Sequence, residues 1–298
     1  MRSVAAPAPV VVAVRAPSPG IRDYLRLTKA GVGVLLVFTA TTAAVVAGPG
    51  PWADVVLLAV AGGLACAGSG ALNHYLEQDI DALMVRTSRR PLPSGRVSPG
   101  RALALGLALL GLALLLSLGI NALTSLFILL GAIVYVVVYT WWLKRRSPWN
   151  IVIGGSAGSF GVLAGWSAVT GGLDVTALSM ALLVFVWTPV HFWSFAIVHR
   201  EEYRRAGVPM LPVVVGDRAT ARWASLHGVL AVAVSMLLLR GAFGGIYLAA
   251  AAVAGLGLLG LVTWLNMGPN RGRARAVFLG SNVYLAVLFA AMMVDTLV

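Results

Sequence analysis

The feature that most constrains this chain is a succession of apolar runs, each long enough to cross a hydrocarbon core of ~30 Å. They fall at roughly 30–47, 52–72, 102–120, 122–143, 150–169, 175–198, 221–239, 241–265 and 275–296. In lipid no backbone polar group can be left unpaired, so such runs must be helices or strands of a closed barrel. Barrel strands alternate apolar and polar residues over about ten positions, and these continuous runs do not. Turn-forming residues separate neighbours: Gly48-Pro49-Gly50-Pro51, Gly119 to Asn121, and Gly171-Gly172. Only 11% of residues are charged and 59% are hydrophobic. A water-soluble globule carries about 25% charged residues and is therefore excluded. The expected fold is an all-α integral membrane bundle of nine transmembrane helices.

Charge fixes the expected orientation. Of 22 basic residues, 21 fall before the first span or in the loops after spans two, four, six and eight; only Arg240 is on the other side. The positive-inside rule then places the N-terminus in the cytoplasm. The net charge of +12 reads as this topology signal and not as a nucleic-acid surface. Residues 1–20 carry four prolines, with no apolar run longer than Val10–Val14. They read as a disordered cytoplasmic tail, not a signal peptide, ahead of a single domain over 21–298. Small residues crowd Ala61–Ala71 and Gly154–Gly165 and are expected to serve close helix packing. Cys66, the sole cysteine, has no disulfide partner within the chain, and no His/Cys spacing suggests zinc.

The acids gather in two clusters on the basic side. In Asn73-His74-Tyr75-Leu76-Glu77-Gln78-Asp79-Ile80-Asp81, Asn73, Glu77 and Asp81 recur every four residues and share one helix face, while Asp79 points elsewhere. The second cluster is Glu201-Glu202, just after His199 and Arg200. Stacked oxygen side chains at a membrane boundary are costly unless something positive meets them. Such hard oxygen ligands suit Mg²⁺, which takes a few carboxylates and completes its shell with phosphate and water. Basic residues follow both clusters: Arg86, Arg89 and Arg90, then Arg204 and Arg205. The implied substrate has a phosphorylated head and a body that lives in lipid. After each cluster comes a Leu-Pro and then a glycine (Leu92-Pro93 with Gly95, Leu211-Pro212 with Gly216), a weak parallel repeat that would present acids from both halves to one cavity.

These residues resemble the UbiA superfamily of intramembrane prenyltransferases. The likeness is carried by residues 73–99, Tyr139–Arg146, Asn150–Gly171 and Trp187–Gly216, with Leu27-Thr28-Lys29 at the front. The last stretch is most similar to the branch that acts on haem. There are departures. Glu77 and Glu201-Glu202 stand where the family usually has Asp. Ala30-Gly31 replaces a usual Pro-Arg, and Gly161-Val162 and Val190 replace usual prolines. The resemblance implies transfer of farnesyl from farnesyl diphosphate to a vinyl group of haem B, giving haem O. It implies Mg²⁺ held by Asn73, Glu77, Asp81, Glu201 and Glu202, and a diphosphate met by Arg86, Arg90, Lys144 and Arg205. Tyr139, Trp187 and Trp193 are candidates to face an allylic cation. His191 is a candidate to touch haem iron, a propionate or the reacting vinyl, and His199 a propionate or the diphosphate. The implied location is the multi-pass cell membrane, with the site on the cytoplasmic side among lipid. A haem A synthase consuming the product is a candidate partner. Two alternatives stay open: a UbiA-type enzyme using a quinone precursor or chlorophyllide, and a transporter. The latter is opposed by acids at helix ends and not at the bilayer midplane.

Overall fold

A computed structural model describes residues 19–298; the expected tail, with Arg2 and Arg15, lies almost wholly outside them. Every regular element among the described residues is helical. The short α1 (Ile21–Leu27) leads into α2 (Ala30–Val46), then α3 (Trp52–Leu76), α4 (Gln78–Leu83), α5 (Pro99–Leu118) and α6 (Ala122–Ile133), which continues as a π-helix over Val134–Leu143. After α7 (Asn150–Gly154) come α8 (Ser156–Thr170), α9 (Val175–Val198), α10 (Arg200–Arg205), α11 (Leu211–Ala233), α12 (Gly245–Met267) and α13 (Arg271–Leu297).

Eight of the expected spans are long and apolar enough to cross a membrane. The apolar part of the remaining one, Gly33–Val46, is shorter. The closely spaced third and fourth spans separate at Asn121, whose side chain caps α6 by accepting from Thr124 N (2.8 Å) and donates to Ser167 O. α9 is the central helix: most of its residues are buried, and α8, α11 and α13 surround it.

Small residues let backbones approach. A Cβ on Gly68 would sit 2.8 Å from Gly106 O, and one on Gly165 would collide with Ala40 O, so α3 seats on α5 and α8 on α2. The basic loops meet at one end of the bundle. Arg96 binds Asp23 at 2.8 Å, Arg145 binds Asp79 at 2.7 Å, and Arg86 N donates to Glu202 Oε2 at 3.1 Å. These contacts join the segments before α2, after α3, before α7 and after α9, as the charge asymmetry requires.

Candidate active site

The row of three oxygen side chains survives a helix break. α3 stops at Leu76 and Glu77 sits at the junction with φ −103°. Backbone bonds from Glu77 N to Asn73 O (3.0 Å) and from Asp81 N to Glu77 O (2.8 Å) keep the four-residue pitch. Asn73, Glu77 and Asp81 are all about 98–99% buried. Each meets a cation: Lys29 Nζ donates to Asn73 Oδ1, Lys144 Nζ to Glu77 Oε1, and Arg90 Nη1 to Asp81 Oδ2 at 2.7 Å. A buried carboxylate without such a partner would be strongly destabilising. Asp79 turns outward to Arg145, as its place in the helical period predicts.

Two unusual backbone features deliver these cations. Lys29, between α1 and α2, has φ 49° and is the only non-glycine residue with positive φ among those described. Side-chain crowding makes that conformation cost about 1–2 kcal/mol, and here it aims Lys29 at Asn73 and at the Tyr135 hydroxyl (3.3 Å). The second feature is the π-helix after α6, a distortion that recurs at functional sites. Its wider turn brings Tyr135, Thr140 and Lys144 to the same side. Thr140 Oγ1 donates to Tyr135 O (2.8 Å) while accepting from Asn73 Nδ2 (2.9 Å), and Lys144 N donates to Tyr139 O (2.8 Å). Tyr139 stacks on Tyr135 with ring centroids 6.0 Å apart, and Lys144 Nζ lies 5.7 Å from its ring.

Electrostatics follow the pairing. Burial pushes the Lys29 ammonium down to about 7, against the pull of Glu77. Burial works to raise the Glu77 carboxyl, but Lys144 and Lys29 together hold it below its ordinary range. Desolvation works to lower Lys144, but Glu77, together with Tyr203 and Tyr135, leaves it raised.

The second cluster contributes only in part. Glu202 accepts from Arg86 N and lies 3.2 Å from His199 Nδ1. Burial acts to raise its carboxyl, yet those two contacts hold it low. Arg86 also lies over the Phe195 ring at 5.3 Å. Glu201, by contrast, points outward, its side chain 53% exposed, and pairs with Arg204 (2.8 Å) and Arg205 (3.4 Å). Glu201, expected as a metal ligand, and Arg205, expected as a diphosphate ligand, thus meet each other on the surface and make no contact with Asn73, Glu77 or Asp81 among the described residues. Trp187, Trp193 and His191, expected to meet substrate, are engaged in packing between helices. Trp187 Nε1 donates to Ser281 O (2.7 Å), and its ring stacks on His191 at 4.7 Å. His191 lies between Trp187 and Phe278, with Nδ1 3.0 Å from Ser281 Oγ, so both residues knit α9 to α13. Trp193 is fully buried, edge-on to Trp149 and His227. None of the three lines the cavity described next.

That cavity takes in about 870 Å³ of empty space, the open solvent at its mouth included. It runs between α2, α3, α6 and α8. Lys29, Ser69 and Tyr135 stand at its polar end, and Ala40, Leu58, Phe127, Ile128 and Ala164 at the deep end. Its walls are small: Gly62, Ala65, Cys66, Gly131, Ala157 and Gly161. The crowding of small residues in 61–71 and 154–165 therefore does more than seat helices. One face packs, as at Gly68 and Gly165, and the other leaves a channel. Lys29, Tyr135 and Thr140 were not among the expected site residues. The signal for Lys29 was its place as the last cation before the first span; for Tyr135 and Thr140 there was none, since a π-helix leaves no mark in apolar periodicity.

The donor set fits a magnesium ion that keeps most of its shell from phosphate and water. Among the described residues, Glu77 Oε2 and Asp81 Oδ1 take no hydrogen bond, so each carboxylate retains a free hard oxygen. No group of three or more His, Cys, Asp or Glu among the described residues is placed to hold a metal unaided, so phosphate and water oxygens would complete the shell of an ion bound here.

Comparison with known proteins agrees with this geometry. The family model described as "UbiA prenyltransferase family" matches residues 35–291. The chain is 43% identical over 280 residues to a protein named protoheme IX farnesyltransferase from Symbiobacterium thermophilum, covering 92% of this chain and 94% of that one. It is 44% identical to a protein of the same name from Roseiflexus castenholzii, covering 98% of this chain but only 57% of that longer protein. Among solved structures, the fold resembles an apo UbiA homolog from Aeropyrum pernix K1 (TM-score 0.75, 21% identity, covering 90% and 98% of the two chains). It also resembles a UbiA homolog from Archaeoglobus fulgidus bound to GPP and Mg²⁺ (TM-score 0.64, 19% identity, covering 91% and 99%). The chain belongs to the UbiA prenyltransferase family.

Proposed function

We propose that this chain transfers a farnesyl group from farnesyl diphosphate to a vinyl group of haem B. The observation that carries the prenyl-diphosphate half is the buried row Asn73, Glu77 and Asp81, each facing a cation and joined through Lys29 to the polar end of an apolar cavity. A phosphorylated head and an isoprenoid tail need those two surfaces in that order. Haem as acceptor is supported by the name of the Symbiobacterium relative, and magnesium by the Archaeoglobus structure's bound ligands.

In this reading Asn73, Glu77 and Asp81 on one side and Glu202 on the other would each hold Mg²⁺ only together with phosphate and water oxygens, and the metal would supply charge neutralisation for the departing diphosphate. Lys29, Lys144 and Arg90 exchange their side-chain partners for phosphate oxygens. The leaving group departs with the bonding electron pair into this preformed cationic field. Tyr135 and Tyr139 present ring faces to the allylic cation, each contact contributing on the order of 1–2 kcal/mol where water is excluded. The vinyl electrons form the new carbon–carbon bond. Water adds to the resulting cation and loses a proton, so that diphosphate and one proton are released. The topology in this reading is nine crossings of the cell membrane by a single domain over 21–298, N-terminus inside and site on the cytoplasmic face; the basic loops gathered at the site's end support it.

The test is to supply membranes containing this protein with farnesyl diphosphate, Mg²⁺ and haem B, and to search for haem O by mass. Its appearance, dependent on Asp81, is the expected result. Prenylation of 4-hydroxybenzoate with no haem product would move the acceptor assignment to the quinone branch.

A further inference from the structure

At its deep end the cavity meets Leu58, Phe127 and Ile128 beside Ala40 and Ala164, while much of its wall is glycine and alanine. We propose that Leu58 and Phe127 form a floor limiting the bound prenyl chain to three isoprene units. The inference rests on the prenyl-diphosphate reading above and adds the determinant of tail length.

The length can be worked from the helices. Along α3 the lining runs from Gly70 to Leu58, and along α2 from Lys29 to Ala40. At about 1.5 Å of rise per residue the two walls give roughly 16–18 Å. An extended chain advances about 1.2 Å per bond, so a four-bond isoprene unit spans about 5 Å. Three units need about 15 Å and fit; four need about 20 Å and do not. At the far end Leu58 is 1% exposed and Phe127 8% exposed, with Phe127 braced by Phe160 at 6.3 Å between ring centroids. One turn above Leu58, Gly62 keeps the channel open: an added Cβ would meet only Val37 Cγ2, at 3.9 Å. One further turn up, Cys66, the sole cysteine of the chain, lines the wall and reports on its occupancy.

The experiment measures binding of the unreactive geranyl, farnesyl and geranylgeranyl thiodiphosphates to the full-length protein in detergent with Mg²⁺. The native chain should favour farnesyl over geranylgeranyl by at least about tenfold, the scale on which apolar pockets discriminate by size. Leu58→Ala should move that ratio toward geranylgeranyl by about tenfold. Gly62→Leu, which shortens the cavity from above the floor, should weaken farnesyl by a similar factor and spare geranyl. In parallel, farnesyl thiodiphosphate should protect Cys66 from a small thiol-alkylating reagent, whereas inorganic pyrophosphate should not. Unchanged ratios in both variants, or binding that leaves Cys66 as reactive as before, would overturn the floor while the prenyl-diphosphate reading stands. Failure of all three compounds to bind would overturn both.

Discussion

Replacing Lys144 by Met separates what the Glu77–Lys144 pair does for the fold from what it does for chemistry. The two side chains are 3% and 10% exposed, so removal of the ammonium leaves a carboxylate uncompensated inside the bundle. Breaking one half of such a pair costs about 3–5 kcal/mol. The lower figure is expected here, because Lys29 continues to attract Glu77. Glu77→Gln strands the ammonium instead and should cost a comparable amount. The double variant Glu77→Gln/Lys144→Met removes both charges, and a neutral amide beside an apolar chain should cost only about 1 kcal/mol relative to the native protein. The coupling energy is then about 5 kcal/mol, far outside the ~0.5 kcal/mol within which independent sites add. Equilibrium unfolding in mixed micelles titrated with sodium dodecyl sulfate measures all four corners. The pH sign is fixed by the depressed Glu77 carboxyl. The coupling is fully present above the ordinary carboxylate range and declines as pH falls through the lower folded-state value. Additive single costs, or a double variant no more stable than its parents, would refute a buried charge pair. Recovered turnover in the stable double variant would refute its part in the reaction.

Asp81→Asn should abolish turnover while changing the unfolding midpoint little, since an amide oxygen still accepts from Arg90; near-native product formation would remove Asp81 from the metal set. Glu202→Gln should lower activity at limiting Mg²⁺ at least about tenfold, whereas Glu201→Gln should leave the Mg²⁺ dependence unchanged, as a magnesium titration of each would show. Trp187→Phe deletes the bond to Ser281 O and should destabilise by about 1–2 kcal/mol with unchanged turnover per folded molecule; a selective loss of turnover would return Trp187 to the site.

What the sequence disclosed and what it concealed divide along a physical line. Apolar run length, flanking charge and the four-residue recurrence of Asn73, Glu77 and Asp81 are local properties, and each survives folding. The recurrence even outlasts the break at Glu77, because the backbone bonds on either side preserve the pitch. Pairing between segments is not local. Nothing in Glu201-Glu202 says which carboxylate turns inward, and the structure chooses by surroundings: Glu201 finds Arg204 and Arg205 on its own helix, while Glu202 finds Arg86 N, 116 residues away in sequence. A tryptophan reads the same whether it faces a cavity or a neighbouring helix, so Trp187 and Trp193 could be placed only by their packing.

The small-residue stretches show the same limit more instructively. Gly68 and Gly62 lie six residues apart on α3 and are chemically identical, yet one is pressed against Gly106 O and the other borders open space. A glycine permits both close approach and void; which one results depends on what the opposing helix brings. At Gly68 α5 brings backbone. At Gly62 α2 brings only Val37, and α6 and α8 face the same space with Gly131, Ala157 and Gly161. Four helices, each short of side-chain volume at the same depth, cannot close on one another, and the channel for a lipid tail is what remains between them.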